Sequence, residues 1–194
     1  MTAKRTVGVL AIQGDYEAHE KQLKRVAARP VQIRLPKQLD EIDSLIIPGG
    51  ESTTMNIMID RFNLREPLRQ FGRVKPIFGT CAGMIMLSTQ IENNISNVRP
   101  LELLDLKVDR NGYGRQVHSS EEQITADLDG TPTLLTVAFI RAPRVLAVGP
   151  KVKVMATYRD DPALVRCGNI LAAAFHAELG DDTALLEYFL GEVQ

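Results

Sequence analysis

The sequence predicts an α/β protein with a mixed, mainly parallel central sheet flanked by helices and an antiparallel extension of that sheet. Three observations carry this. Short, nearly continuous apolar runs bounded by turn residues recur through the first half, as in strands covered on both faces. Helical patterns separate those runs, which calls for parallel pairing. From about residue 103 strand-like stretches follow one another with little helix between them.

Taken in order, residues 6–12 form the first apolar run, and Asp15 offers a cap for a charged helix over 16–28 with Leu23, Val26 and Ala27 on one face. Residues 31–35 and 44–47 read as the second and third strands, the latter ended by Pro48-Gly49-Gly50. Ser52, Thr53 or Thr54 is expected to cap a helix running to Ile59. Residues 76–78 make a fourth strand, Gly79 ends it, and a helix is expected over 82–90. Residues 103–110, 122–128, 134–140, 152–158 and 170–175 read as the antiparallel strands, and 181–193 as a closing helix.

The chain has 194 residues, a length that suits one domain over 1–194 without staples. A formal net charge of -1 argues against a dedicated nucleic-acid binder. No apolar run approaches the about 20 residues that span a bilayer. The opening residues lead straight into a short strand without the longer apolar stretch of a secretory signal, so the expected location is cytoplasmic, with no membrane partner. Two cysteines, Cys81 and Cys167, make neither a disulfide framework nor a metal cluster, and neither metal nor cofactor is expected.

Gly79-Thr80-Cys81-Ala82-Gly83 sits between a strand and a helix in the Gly-x-nucleophile-x-Gly arrangement of a nucleophile elbow. Such a turn lifts the side chain out of the sheet, and the helix N-terminus favours a thiolate. The N–H of Ala82 is placed to serve an oxyanion. A buried cysteine in a glycine-rich turn fits the motif equally well.

A nucleophile needs a base, and the chain has three histidines. His19 lies in the charged first helix and His118 in a polar stretch, so both are expected at the surface. His176 ends an apolar strand, with Glu178 two positions on. In extended chain those side chains point to the same side, so Glu178 can hold one ring nitrogen and aim the other at a thiol. A histidine at a strand end beside a solvated glutamate is the plainer reading of that pair taken alone. Pro48-Gly49-Gly50-Glu51-Ser52, also at a strand end, can present backbone N–H groups to an anion, or be a plain tight turn. No Gly-Lys-Ser/Thr follows it as in a phosphate loop. Cys167 falls in an expected hairpin turn, with no base near it in sequence, and is read as structural or incidental.

Together these residues resemble the class I triad glutamine amidotransferases of flavodoxin-like architecture. Within them they resemble the PdxT family, the glutaminase subunits of pyridoxal 5'-phosphate synthase. The matching stretches run along nearly the whole chain. They are Gly8-Val9-Leu10-Ala11-Ile12-Gln13-Gly14, Pro48-Gly49-Gly50-Glu51-Ser52-Thr53-Thr54-Met55 and Phe78-Gly79-Thr80-Cys81-Ala82-Gly83, followed by Asp109-Arg110-Asn111-Gly112-Tyr113-Gly114-Arg115-Gln116-Val117, Phe139-Ile140-Arg141-Ala142-Pro143 and Phe175-His176-Ala177-Glu178-Leu179. The elbow and the His-x-Glu are shared by many amidotransferases; the second, fourth and fifth stretches are far more specific to this branch.

The resemblance implies that Cys81 is the nucleophile, His176 the acid–base and Glu178 its orienter. It implies that Gly50, Glu51, Ser52, Arg110, Ile140 and Arg141 bind L-glutamine, and that Gly50 and Ala82 form the oxyanion hole. Gln13 would lie at the face that docks the synthase subunit. The implied activity is hydrolysis of glutamine to glutamate and ammonia, the ammonia passing to that subunit for pyridoxal 5'-phosphate synthesis. Ala177 stands where the family usually has proline. The alternatives are a glutaminase subunit of another biosynthetic amidotransferase, a hydrolase or chaperone with an elbow cysteine, and a non-catalytic binding module.

Overall fold

The computed structural model describes residues 5–110, 112 and 120–193. His118 and most of the 111–117 stretch therefore lie outside the described residues.

Five strands form the parallel part of the sheet: β1 (Thr6–Leu10), β2 (Arg29–Ile33), β3 (Ser44–Ile47), β4 (Ile77–Thr80) and a later strand, Ile170–Ala173. Helices α1 (Tyr16–Arg25), α2 (Ser52–Arg61), α3 (Arg65–Val74) and α4 (Ala82–Leu87) fall between them in sequence. Then come β5 (Gln90–Ile91), β6 (Leu106–Asp109), β7 (Ser120–Leu128), β8 (Thr131–Phe139), β9 (Arg144–Val148), β10 (Lys153–Tyr158), β11 (Asp161–Cys167) and β12, the Ile170–Ala173 strand already placed. Helix α5 (Ala184–Glu192) closes the chain.

The seven-stranded sheet has the order β10-β11-β12-β4-β3-β1-β2, with β10–β11 and β11–β12 antiparallel. Side-chain alternation divides its core between two faces. Leu45, Ile47, Ile77 and Ala172 pack with Met55, Leu68 and Met84 on one side. Ile46, Phe78, Leu171 and Ala173 pack with Leu23, Leu185 and Phe189 on the other. Strands β3, β4 and β12 are buried at every position, which is why they read as continuous apolar runs rather than as alternating ones.

The expected mixed sheet is present, with corrections. Only β10 and β11 extend the main sheet; β7–β8 form a separate hairpin and β5-β6-β9 a separate three-stranded sheet. Strands β9 and β11 and helix α3 are additional to the sequence reading. Helix α4 stops at Leu87 rather than Gln90, because Gln90 joins β5 and pairs with β6. Helix α1 stops at Arg25, and Ala27 turns back with φ 56°, so the buried face carries His19, Gln22 and Leu23. His19 is accordingly not a surface residue but 2% exposed. Helix α2 is capped by Glu51 rather than by a hydroxyl: its longer carboxylate accepts from the N–H groups of both Thr53 and Thr54.

The chain leaves β1 for β2 on one side and then crosses to β3 on the other. Ligand sites in such sheets gather at the carboxyl ends of strands near this change of direction. Gln13, Gly49-Gly50, Cys81 and His176 follow β1, β3, β4 and β12, four strands that lie side by side there in the order β12-β4-β3-β1.

Candidate active site

Cys81 caps α4 with φ 49° and ψ -103°, a conformation that costs a non-glycine residue about 1–3 kcal/mol and persists where the surroundings impose it. Here they do. The Cys81 N–H donates to Ala173 O on β12 at 2.8 Å, which ties the elbow to the neighbouring strand. A side chain at Gly83 would run into the carbonyl of Ile47 on β3, so only glycine lets α4 lie this close to the sheet. The Cys81 thiol lies 3.9 Å from Ile140 O, its acceptor.

His176 follows β12 and bridges to β8. Its N–H donates to Ala138 O at 2.8 Å, and its carbonyl accepts from Ala138 N–H at 3.0 Å. The β7–β8 hairpin therefore fixes the backbone of the candidate base. On the ring, Nδ1 lies 2.6 Å from Glu178 Oε1. A carboxylate only accepts, so Nδ1 carries the proton and Nε2 is left for the thiol. Burial pushes the His176 pKa down, but interaction with Cys81 and Glu178 outweighs it and raises it to about 10. Glu178 is 4% exposed. Burial pushes its carboxyl up, yet His19 and His176 more than offset this and hold it below its usual value.

Cys81 and His176 open on a cavity of about 230 Å³, lined also by Gly50, Glu51, Ser52, Ile85, Arg110, Ile140 and Arg141. Its size suits a small polar molecule. Every residue proposed from sequence to bind substrate is in that lining; Ile85, on α4, is additional. The Glu51 carboxylate serves α2 rather than the cavity alone. Partial burial pushes its pKa up, but the N–H groups of Thr53 and Thr54 and the Thr54 hydroxyl bring it to about 2. Arg110 Nη2 donates to Thr53 Oγ1 at 2.9 Å and to Glu51 Oε1 at 3.3 Å, while its buried Nε has no partner among the described residues. Gln13 Oε1 accepts from the Glu51 N–H at 3.1 Å, so its side chain turns onto the Gly50–Glu51 loop. Ala82 is the first residue of α4, where helical N–H groups have no helical acceptor. Among the described residues no cluster of His, Cys, Asp and Glu is arranged to hold a metal, and no helix is long and apolar enough to cross a membrane.

The description of the SNO glutamine amidotransferase family matches residues 9–194. The chain belongs to that family. The pyridoxal 5'-phosphate synthase subunit PdxT of Thermosipho africanus is 47% identical to this SNO-family chain over 191 residues, 97% of this chain and 98% of that protein. The PdxT subunit of Carboxydothermus hydrogenoformans is 45% identical over 190 residues, 96% of this chain and 97% of that one. A solved structure titled as a glutamine amidotransferase superposes with a TM-score of 0.87 at 39% identity, covering 95% of this chain and 96% of its own. The α/β architecture with a mainly parallel sheet is thus that of a solved relative along almost its full length.

Two residues at the back of this SNO-family site were missed in the sequence. His19 Nε2 lies 3.2 Å from Thr80 Oγ1 and 3.6 Å from Glu178 Oε1. Gln22 Nε2 lies 2.8 Å from Ala177 O and 3.2 Å from Gly180 O. With Leu23 they are spaced i, i+3 and i+4, the signature of one helix face, and that spacing could have revealed them.

Proposed function

We infer that this chain is the glutaminase subunit of a pyridoxal 5'-phosphate synthase: it hydrolyses L-glutamine to L-glutamate and ammonia for vitamin B6 synthesis. The kinship with PdxT subunits supports the pathway. The convergence of Cys81, His176 and Glu178, with Cys81 and His176 opening on one cavity, carries the mechanism. The whole of 1–194 is taken as a single glutaminase domain.

In the proposed reaction the Cys81 thiolate attacks the side-chain amide carbon of glutamine. The C=O electrons move onto oxygen, and N–H groups of Gly50 and Ala82 receive the oxyanion. One such donor typically lowers the barrier by about 3–4 kcal/mol. The tetrahedral intermediate collapses, the C–N bond breaks, and the His176 imidazolium gives its Nε2 proton to the leaving nitrogen, which departs as ammonia. A glutamyl thioester remains on Cys81. Water attacks it, His176 takes the proton of that water, and glutamate leaves as the C–S bond breaks. Glu178 keeps the proton on Nδ1 throughout, so that Nε2 performs both transfers.

Gly50, Glu51, Ser52, Arg110, Ile140 and Arg141 hold glutamine in the cavity. Arg110 is the natural partner for the substrate's α-carboxylate, because a guanidinium pairs with carboxylates through several donors. Gln13 lies at the face that docks the synthase subunit, which consumes the ammonia before water protonates and disperses it. The setting is the cytoplasm.

The test is glutamate release from glutamine, measured with and without the synthase subunit. Turnover that rises in the complex, and is abolished there by Cys81→Ala, is the expected result. Turnover unchanged by Cys81→Ala overturns the mechanism.

A further inference from the structure

We propose that His19, on helix α1, is a positioning residue for the triad, its Nε2 tying the Glu178 carboxylate to the Thr80 hydroxyl beside the nucleophile. The proposal rests on the triad reading above and deepens it. Glu178 is buried, and its Oε2 has no hydrogen-bond partner among the described residues. A buried carboxylate left half-satisfied is costly. Its side-chain hydrogen bond is at Oε1, from His176 Nδ1 at 2.6 Å; His19 Nε2 stands 3.6 Å from the same oxygen, beyond hydrogen-bond length but close enough for its N–H dipole to act.

Nε2 also stands 3.2 Å from Thr80 Oγ1, the last residue of β4, directly before Cys81. One imidazole thus spans the two chain segments that carry nucleophile and orienter. Burial lowers the His19 pKa while the Glu178 carboxylate pulls it the other way; a carboxylate only accepts, so the ring proton that faces it sits on Nε2. The groups that face it are Thr80 from β4, Glu178 and His176 from the segment after β12, and Asp15 from the cap of its own helix.

One turn further along α1, Gln22 holds the same segment by its backbone, at Ala177 O and Gly180 O. The turn between base and orienter is thus held from outside, by α1. A histidine that merely filled this space would need neither the hydroxyl nor the carboxylate at its Nε2.

The measurement is glutamate release by the full chain in complex with the synthase subunit, against glutamine concentration and pH. His19→Leu is expected to lower kcat about ten- to hundredfold with KM held within about twofold. It also moves the acidic limb of the kcat profile to higher pH, because the buried Glu178 carboxylate loses the favourable electrostatics of the imidazole beside Oε1. His19→Gln, whose Nε2 reaches the same place, recovers most of the rate and returns the limb. Thr80→Val, close in shape, lowers kcat in the same direction and serves if His19→Leu fails to fold. Wild-type kcat and an unmoved acidic limb in His19→Leu, or in Thr80→Val, overturn the proposal. So does a His19→Gln no better than His19→Leu. A wild-type complex that releases no glutamate would instead sink the glutaminase reading itself.

Discussion

At Gly49 a side chain would run into the His176 ring and come within 3.3 Å of Cys81 Cβ. Gly49→Ala is therefore expected to displace the base, lowering kcat about hundredfold while the fold persists; steady-state glutamate release beside a thermal melt checks both halves. His176 makes a second residue-scale prediction, in pH. Its pKa is raised from 6.5 to about 10 on folding, so its proton stabilises the native state fully below pH 6.5. That stabilisation is lost as pH rises through about 10. Because Cys81 is part of the cause, Cys81→Ala should flatten the alkaline fall of stability between those values, read from urea unfolding at a series of pH values. Glu178 works in the opposite sense: lowered from 4.5, it stabilises above that pH, and the effect is lost as pH falls through its folded value. Cys81, His176 and Glu178 were legible because each sits in a short local pattern. His19 was not, since its partners Thr80 and Glu178 lie 61 and 159 positions away and a lone histidine among charges reads as solvated.

Helix α2 shows how an element couples folding to the site. Glu51 caps it through Thr53 N–H at 3.0 Å, Thr54 N–H at 2.6 Å and the Thr54 hydroxyl at 2.8 Å, and the same carboxylate receives Arg110. Glu51→Ala is expected to cost about 1 kcal/mol of cap, a fall in Tm of about 2–4 °C for a chain of this size. It also removes a pocket wall residue and leaves Arg110 held by Thr53 alone, so KM for glutamine rises. A melt that drops without a change in KM would show the cap and the pocket to be independent. The pKa of about 2 gives the sign in acid: the cap's contribution is present above 4.5 and is lost as pH falls toward 2. The helix is legible in the sequence, but its cap lies one to three residues before the hydroxyls of Ser52, Thr53 and Thr54, because serine and threonine caps are the common rule and Glu51 reaches the donors with a longer arm. Helix α3 is hard to read in the sequence for a related reason. Its buried face holds only Leu68, Phe71 and Gly72 among charged neighbours, too thin a stripe to stand out.

Across the whole molecule, the α/β sheet was legible because buried parallel strands leave continuous apolar runs, and β3, β4 and β12 do so. The fate of the later strands was not, since an alternating strand does not state which sheet it joins. The β7–β8 hairpin matters here: it stands apart from the main sheet yet holds the candidate base through Ala138. Both backbone groups of Ala138 point at His176, away from the β7 ladder. Proline at that position removes the N–H that His176 O receives and leaves the β7 pairing intact, as proline does on an open strand edge. Ala138→Pro is therefore expected to cut activity about hundredfold through misplacement of His176. Helix content should change little, and glutamine binding should weaken far less than turnover: Ile140 and Arg141 follow Ala138 on the same segment, but the wall at Gly50–Ser52 and Arg110 belongs to others. Kinetics and ligand-induced melting of the variant decide it. Full activity would mean that Glu178 and α1 alone hold the base, and that the hairpin only covers it.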